Sequence, residues 1–371
     1  MASMAEYSLN DLLAAYEGHL LPQWEESVSV IAKARSQVER FLDAGGHAYG
    51  FSTFFGHLDR YPIDPAQSRQ ILEAHLIGET QIVDAAVIRA ISVVKICQLS
   101  QGLNGISVGA YRTLLEEFGK ESDSPLDLDA SYGSGDVVCG SWWVRAVFGD
   151  APEYRQGDVI SLINGHFVVP GLLLHHRDEF RGILSTALRL INTAQQMIPP
   201  GEVQLPVSTR DLSPLTSHVN SVLEELDRTL VSLSNQGTGN PLFTENLGEV
   251  WPQSNSSFLG FGVSTAVWRL GDVIRLLSAY VRAVTHTIAI LREQEAAAPV
   301  DAAYWVQYPK VSKAYLDQID ELLTDSVTYG QAESGGVEDI GDGALIRMRR
   351  VASVIPLFRK QLDLLSALLT R

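Results

Sequence analysis

Cysteine is scarce. The 371 residues hold two, Cys97 and Cys139, with no CxxC spacing and no Cys/His cluster, which excludes a disulfide framework and a structural zinc site as organising principles. His166, His175, His176 and His218 show no metal-ligand spacing either, so no metal is expected. Basic residues are also few: 28 Lys and Arg stand against 44 Asp and Glu, a formal net charge of −16. Such a surface repels nucleic acid phosphates and anionic lipid headgroups, and neither is expected as a partner. The stretch from Met1 to Glu17 carries acids and lacks the cationic-then-apolar order of a secretion signal. The apolar stretch from Phe258 to Leu291 is broken by Arg269, Asp272, Arg275 and Arg282, and reads as a buried helix rather than a membrane span. A cytoplasmic protein is expected. Internal repeats and low-complexity tracts are missing.

What is present is apolar material in helical register. Hydrophobic residues make up 46% and charged residues 19% of the chain, enough for a large core. Apolar residues recur at helical spacing over Gln81 to Leu103, Leu212 to Leu233, Ser264 to Leu291 and Ile346 to Leu369. Val219, Leu223, Leu226, Leu230 and Leu233 keep one stripe for about four turns. Consecutive long helices predict a mainly α fold, a long helical bundle. Glycine and polar punctuation predicts loops at Asp43 to Gly56, Glu121 to Gly140, Pro199 to Ser208, Ser234 to Ser257 and Gly330 to Gly343. The expected division is a loop-rich N-terminal region, 1–205, and a region of long central and C-terminal helices, 206–371. A bundle can gather such loops at one end, where rigid helices present them for chemistry.

The loops carry recognisable segments. Tyr49-Gly-Phe-Ser-Thr-Phe-Phe-Gly56 resembles the YGxNTGFG motif of histidine, phenylalanine and tyrosine ammonia-lyases and aminomutases. Ile71-Leu-Glu-Ala-His75 is similar to their LLxSH, and Val87-Ile-Arg-Ala90 to the VVRA that follows. Gly133-Ser-Gly-Asp136 falls where that family has Ala-Ser-Gly-Asp, and Leu162-Ile-Asn-Gly165 matches LxNG. Gln204-Leu-Pro-Val-Ser-Thr-Arg210 resembles QDxYSLR. Gly239-Asn-Pro-Leu-Phe243 and Gly248-Glu-Val250 resemble DNPLxF and GEV, and Ser334-Gly-Gly-Val-Glu-Asp339 resembles SxGQEDH. Each piece alone is unspecific; their shared order, from about residue 45 onward, carries the resemblance. The chain is shorter than typical members.

The resemblance implies the histidine ammonia-lyase type of helical fold and a homotetramer with active sites assembled from several subunits. It implies a self-derived methylideneimidazolone, formed when Gly133-Ser134-Gly135 cyclises and loses two waters. That electrophile takes up the amine of an amino-acid-like carboxylate substrate, and a base removes a proton from the neighbouring β-carbon. Elimination of ammonia follows, or re-addition of the amine in an aminomutase. Ser134 supplies the exocyclic methylene and Gly135 the attacking amide. Tyr49 is the base, which requires a phenol pKa depressed by an electropositive pocket. Arg210 holds the substrate carboxylate. Asn164 and Gln204 hydrogen-bond the prosthetic ring or substrate, Glu338 lies near the amine, and His75 helps select the side chain.

The departures are specific. Gly133 replaces the cyclising alanine, Tyr132 the glycine before it, and Val137-Val-Cys-Gly140 the LAPL after Asp136. Val207 replaces the tyrosine of QDxYSLR, Asn255-Ser256 replaces NF, and Ser52 and Phe54 alter the first motif. Plainer roles also exist. Tyr49 and His75 can be packing residues, Arg210 can pair with Asp211, and Asn164-Gly165 can be a simple turn. Glu338-Asp339 can be a helix-terminal acid pair, and Ser134 part of a flexible loop. Three readings stay open. One is a methylideneimidazolone-dependent lyase or aminomutase. Another is a repurposed enzyme of specialised metabolism without that group, using Tyr49, His75, Glu338 and Arg210 for acid–base elimination, isomerisation or cyclisation. The third is a non-catalytic scaffold, disfavoured because a dead pocket has no need of so many polar groups.

Overall fold

The computed structural model describes residues 5–149, 153–198, 205–246, 249–324 and 326–370. In chain order the elements begin with α1 (Leu9–Tyr16), α2 (Pro22–Asp43), α3 (Ser68–Ala74), β1 (Gln81–Val83), α4 (Ala85–Leu99) and α5 (Val108–Glu117). They continue with β2 (Ser124–Leu126), α6 (Val137–Phe148), α7 (Asp158–Ile163), α8 (Val168–Gln196) and α9 (Ser213–Ser234). The last are β3 (Leu242–Asn246), β4 (Glu249–Gln253), α10 (Phe261–Glu295), α11 (Pro299–Leu322), β5 (Gly330–Glu333), β6 (Glu338–Ile340) and α12 (Ala344–Thr370). The fold is mainly α, as the apolar periodicity predicts. The strands form three antiparallel pairs, β1–β2, β3–β4 and β5–β6.

The chain forms two compact units. One comprises residues 1–175, 227–264 and 327–346; the other comprises 176–226, 265–326 and 347–371. In the first unit α4 is buried on nearly every side: Ile88, Ile91, Val94, Ile96 and Leu99 are all closed to solvent. A helix apolar all round belongs at a core's centre. Asp84 starts it by accepting the N–H of Ala86 at 2.7 Å, satisfying one end donor.

Two buried polar residues of α4 explain how loops are held on this apolar rod. Lys95 Nζ donates to the carbonyl of Asn164 at 2.9 Å and lies 4.3 Å from the ring centre of Phe167. Burial holds the Lys95 pKa well below its ordinary value, favouring the neutral amine. Gln98 donates to the carbonyl of His166 at 2.8 Å and accepts from Thr238 Oγ1 at 2.7 Å. The turns after α7 and α9 are thereby pinned to one helix.

In the second unit the core comes from α10, α11 and α12, through residues such as Leu270, Ile274, Leu277, Ile319, Val354 and Phe358. Gln361 ties the three helices together: its amide donates to the carbonyls of Ser278 and Ser312, each at 3.1 Å, and its oxygen accepts from Ser278 Oγ at 2.6 Å. Asp158–Gln196 and Phe261–Glu295 are long and apolar enough to cross a membrane by composition; the first is mostly buried among other residues.

Candidate active site

Tyr49 is placed by a tight turn on the end of α2. The amides of Phe51 and Ser52 donate to the carbonyl of Ala48 at 3.0 and 2.9 Å, and Ser52 Oγ accepts the N–H of Ala48 at 2.9 Å. Ala48 and Phe51 are buried with Val38, Ile160 and Phe243, and Phe41, Tyr49, Phe55 and Val250 pack around them. The Tyr49 hydroxyl accepts the N–H of Gly56 at 2.8 Å, so the phenol closes its own loop. Phe55 stacks on Tyr49 with ring centres 6.0 Å apart and tilts against His75 at 5.5 Å. His75 Nδ1 donates to the carbonyl of Ile71 at 2.8 Å, so Nε2 is the ring nitrogen that this bond leaves available. Tyr49, Phe55 and His75 therefore form a row, bringing together the first two sequence motifs.

The Gly133-Ser134-Gly135 loop is buried, with Ser134 5% exposed. Gly133 and Gly135 both have φ of 80°, and Asp136 has φ of 46°. These are left-handed conformations that glycine adopts freely and other residues at a cost. The loop is tied on both sides. Ser131 Oγ accepts the N–H of Gly133 at 3.0 Å and donates to Asp136 Oδ1, while the carbonyl of Gly133 accepts the N–H of Asp342 at 2.8 Å. Burial, with Asp342 close by, pushes the Asp136 carboxyl up to about 7. Asn164 faces Gly135: its Oδ1 is 3.4 Å from where a Cβ on Gly135 would lie. That oxygen is buried and has no hydrogen-bond partner, an arrangement that costs stability unless a donor arrives.

The β5–β6 hairpin brings in the last motif. Ser334 Oγ accepts the N–H of His57 at 3.2 Å, joining the hairpin to the Tyr49 loop. Tyr132 lies close enough to Glu338 for each to act on the other's ionisation. Burial, and then Glu338, raises Tyr132; burial raises Glu338. Tyr49 is raised too, first by burial and then by the charges of Glu338 and Asp59, with the Gly56 N–H acting in the opposite direction. The depressed phenol expected from the sequence is thus corrected. Within its own unit the charges that act on Tyr49 are those of Glu338 and Asp59.

Arg210 belongs to the second unit, is exposed, and donates from Nε to the carbonyl of Leu205 at 2.9 Å. The Arg210–Asp211 pairing considered above does not form, because Asp211 accepts from Ser213 N–H at 3.0 Å and Oγ at 2.7 Å. Gln204 and Gly248 fall outside the described residues. Among the described residues no group of three or more His, Cys, Asp or Glu could hold a metal ion. Sequence reasoning missed Ser131, Lys95 and Asp342. The last carried a signal, a single charged residue between Gly341 and Gly343 in a predicted loop.

Residues 8–162 fit the family model described as aromatic amino acid lyase. Over 145 residues the chain is 29% identical to the histidine ammonia-lyase of Shewanella oneidensis, a match covering 38% of this chain and 28% of that relative. Its fold is that of the Pantoea agglomerans phenylalanine aminomutase, with a TM-score of 0.78 at 17% identity, covering 98% of this chain and 88% of that one. The ergothionase of Treponema denticola aligns with a TM-score of 0.80 at 14% identity, covering 98% of this chain and 87% of that one. Residues 8–162 thus resemble the aromatic amino acid lyase family, and the chain has the fold of these solved structures.

Proposed function

We propose that this protein is a lyase or aminomutase acting on an amino-acid-like carboxylate substrate, with a methylideneimidazolone derived from Gly133-Ser134-Gly135. The observation that carries the proposal is the buried, unpartnered Asn164 Oδ1 beside Gly135. A hydrogen-bond acceptor without a donor fits a group not yet formed or bound there. The residues present fit the ring: two left-handed glycines flank Ser134, and Asn164 can accept from the ring or from the amine it holds. Once formed, the group supplies an electrophile that makes the substrate amine a better leaving group.

The chain's own residues divide the remaining work. Tyr49 presents the oxygen that takes the β-proton. Its phenol is raised in the isolated chain, so the base role requires a cation brought by a neighbouring copy in the homotetramer we propose, or by the substrate ammonium itself. Glu338, steadied by Tyr132, faces the amine and carries a proton to or from it. Phe55 and His75 line the side-chain end, with His75 Nε2 as acceptor. Arg210 and Gln204 are the residues that the resemblance offers for the substrate carboxylate. The expected setting is the cytoplasm.

Intact mass and peptide mapping of residues 130–139 test the reading, followed by a screen of amino acids for ammonia release. A deficit of two waters on the triad, with release from at least one amino acid, supports it. A triad of full mass rejects it. That outcome favours a prosthetic-group-free enzyme using Tyr49, His75, Glu338 and Arg210, for which Phe55 already packs between Tyr49 and His75.

A further inference from the structure

For the triad to close, the amide nitrogen of Gly135 must attack the carbonyl carbon of Gly133. One donor already occupies that carbonyl oxygen, the N–H of Asp342 at 2.8 Å. Asp342 is itself fixed at every polar atom. It is 3% exposed; Oδ2 accepts the N–H of Gly260 at 2.6 Å and Oδ1 that of Ala344 at 2.8 Å. Its carbonyl accepts the hydroxyl of Ser264 at 2.6 Å. The same loop fills the space over Gly133. A Cβ there would lie 3.0 Å from the Asp342 nitrogen, 3.1 Å from the Gly343 nitrogen and 3.3 Å from the Gly341 Cα, all backbone atoms that cannot swing aside.

We propose that Asp342 is the positioning residue for ring closure in this chain: its pinned carboxylate holds its own N–H on the Gly133 carbonyl, and that contact, together with the left-handed φ of residue 133, accounts for the glycine there. The proposal rests on the reading that the triad cyclises. In the closure the Gly135 nitrogen bonds to the Gly133 carbonyl carbon and its hydrogen passes to the oxygen. The resulting hydroxyl leaves with the Ser134 amide hydrogen as one water, forming a C=N bond. The Ser134 hydroxyl leaves with the Ser134 Cα hydrogen as the second water, forming the exocyclic C=C bond. No oxidant or reductant is needed. A donor fixed beforehand on the attacked oxygen stabilises the negative charge that builds there, without reorganisation at the moment of reaction.

The test is the mass of the 130–139 peptide in the full-length wild type and in Asp342→Ala, Asp342→Asn and Gly133→Ala, each checked for secondary structure and assembly. The wild type is expected to lack two waters. Asp342→Ala and Gly133→Ala are expected to fold and to carry at least tenfold less dehydrated peptide. Asp342→Asn, which retains one of the two acceptors, is expected to recover part of it, as a merely space-filling role would not require. If Asp342→Ala does not fold, Asp342→Asn decides, being expected to carry less dehydrated peptide than the wild type. A wild type of full mass defeats the cyclising reading itself. A dehydrated wild type with equally dehydrated Asp342→Ala, or, where that variant does not fold, equally dehydrated Asp342→Asn, overturns the role of Asp342 and leaves the proposed function standing.

Discussion

The Tyr49 hydroxyl already accepts one N–H, from Gly56, and its surroundings hold the proton on it. Replacing it by phenylalanine removes one oxygen and frees one amide near the surface, a stability cost of about 1 kcal/mol. Turnover should fall by about 10²–10⁴-fold, the usual worth of a positioned acid–base group. Steady-state rates alongside a denaturant melt check both halves, and an active Tyr49→Phe removes the base assignment. A second residue-scale consequence concerns Asp136. Its folded pKa is raised to about 7 from an ordinary 3.8, so the folded state holds a proton that the unfolded chain releases. The stability contribution is full below about pH 4 and is lost as pH rises towards 7, with a slope of at most about 1.4 kcal/mol per pH unit. Urea midpoints across that window should decline in wild type, and Asp136→Asn should flatten the decline. An unchanged slope would show that the acid next to the triad is not protonated in the fold.

Elements were legible where their apolar period was clean. The stretches over Gln81 to Leu103, Leu212 to Leu233, Ser264 to Leu291 and Ile346 to Leu369 became α4, α9, α10 and α12 with shifted ends. α11 was not read, since Pro299 and Pro309 punctuate it and proline disfavours a helix interior. The hairpins β3–β4 and β5–β6 sit inside stretches read as loops, because turn residues give no register. Tyr49, His75, Glu338 and the triad could be chosen from motifs. Asp342 could not, because its role is a backbone contact made across more than two hundred residues. A helix-level prediction follows from Gly171 in α8. A Cβ there would lie 2.6 Å from the Ile91 Cα of α4, a backbone contact that cannot relax cheaply. Alanine is the better helix former by about 1 kcal/mol, yet overpacking against a rigid core costs about 1–3 kcal/mol. Gly171→Ala should therefore lower the urea midpoint; a raised midpoint would mean that α4 and α8 separate easily.

At the scale of the whole molecule two forces oppose each other in the proposed homotetramer. A net charge of −16 per chain makes copies repel, a force that salt screens. Against it stands an exposed stripe on α10, running through Thr265, Trp268, Asp272, Ala279, His286 and Ile290. Its steps of three, four and seven residues are those by which one helix meets another along a seam. Trp268 is 45% and Ile290 39% exposed, large apolar surfaces for a stripe facing water. Sedimentation velocity should show assembly strengthening with ionic strength, and Trp268→Glu with Ile290→Glu should leave smaller species. The triad, Asn164 and Asp342 all belong to one chain, whereas the cation that Tyr49 requires is proposed to come from a neighbouring copy. The dissociated double variant should thus keep the two-water deficit on residues 130–139 and lose turnover. Full activity in a monomer would place every catalytic group on one chain, and a wild type that sediments as a monomer would remove the tetramer from the mechanism.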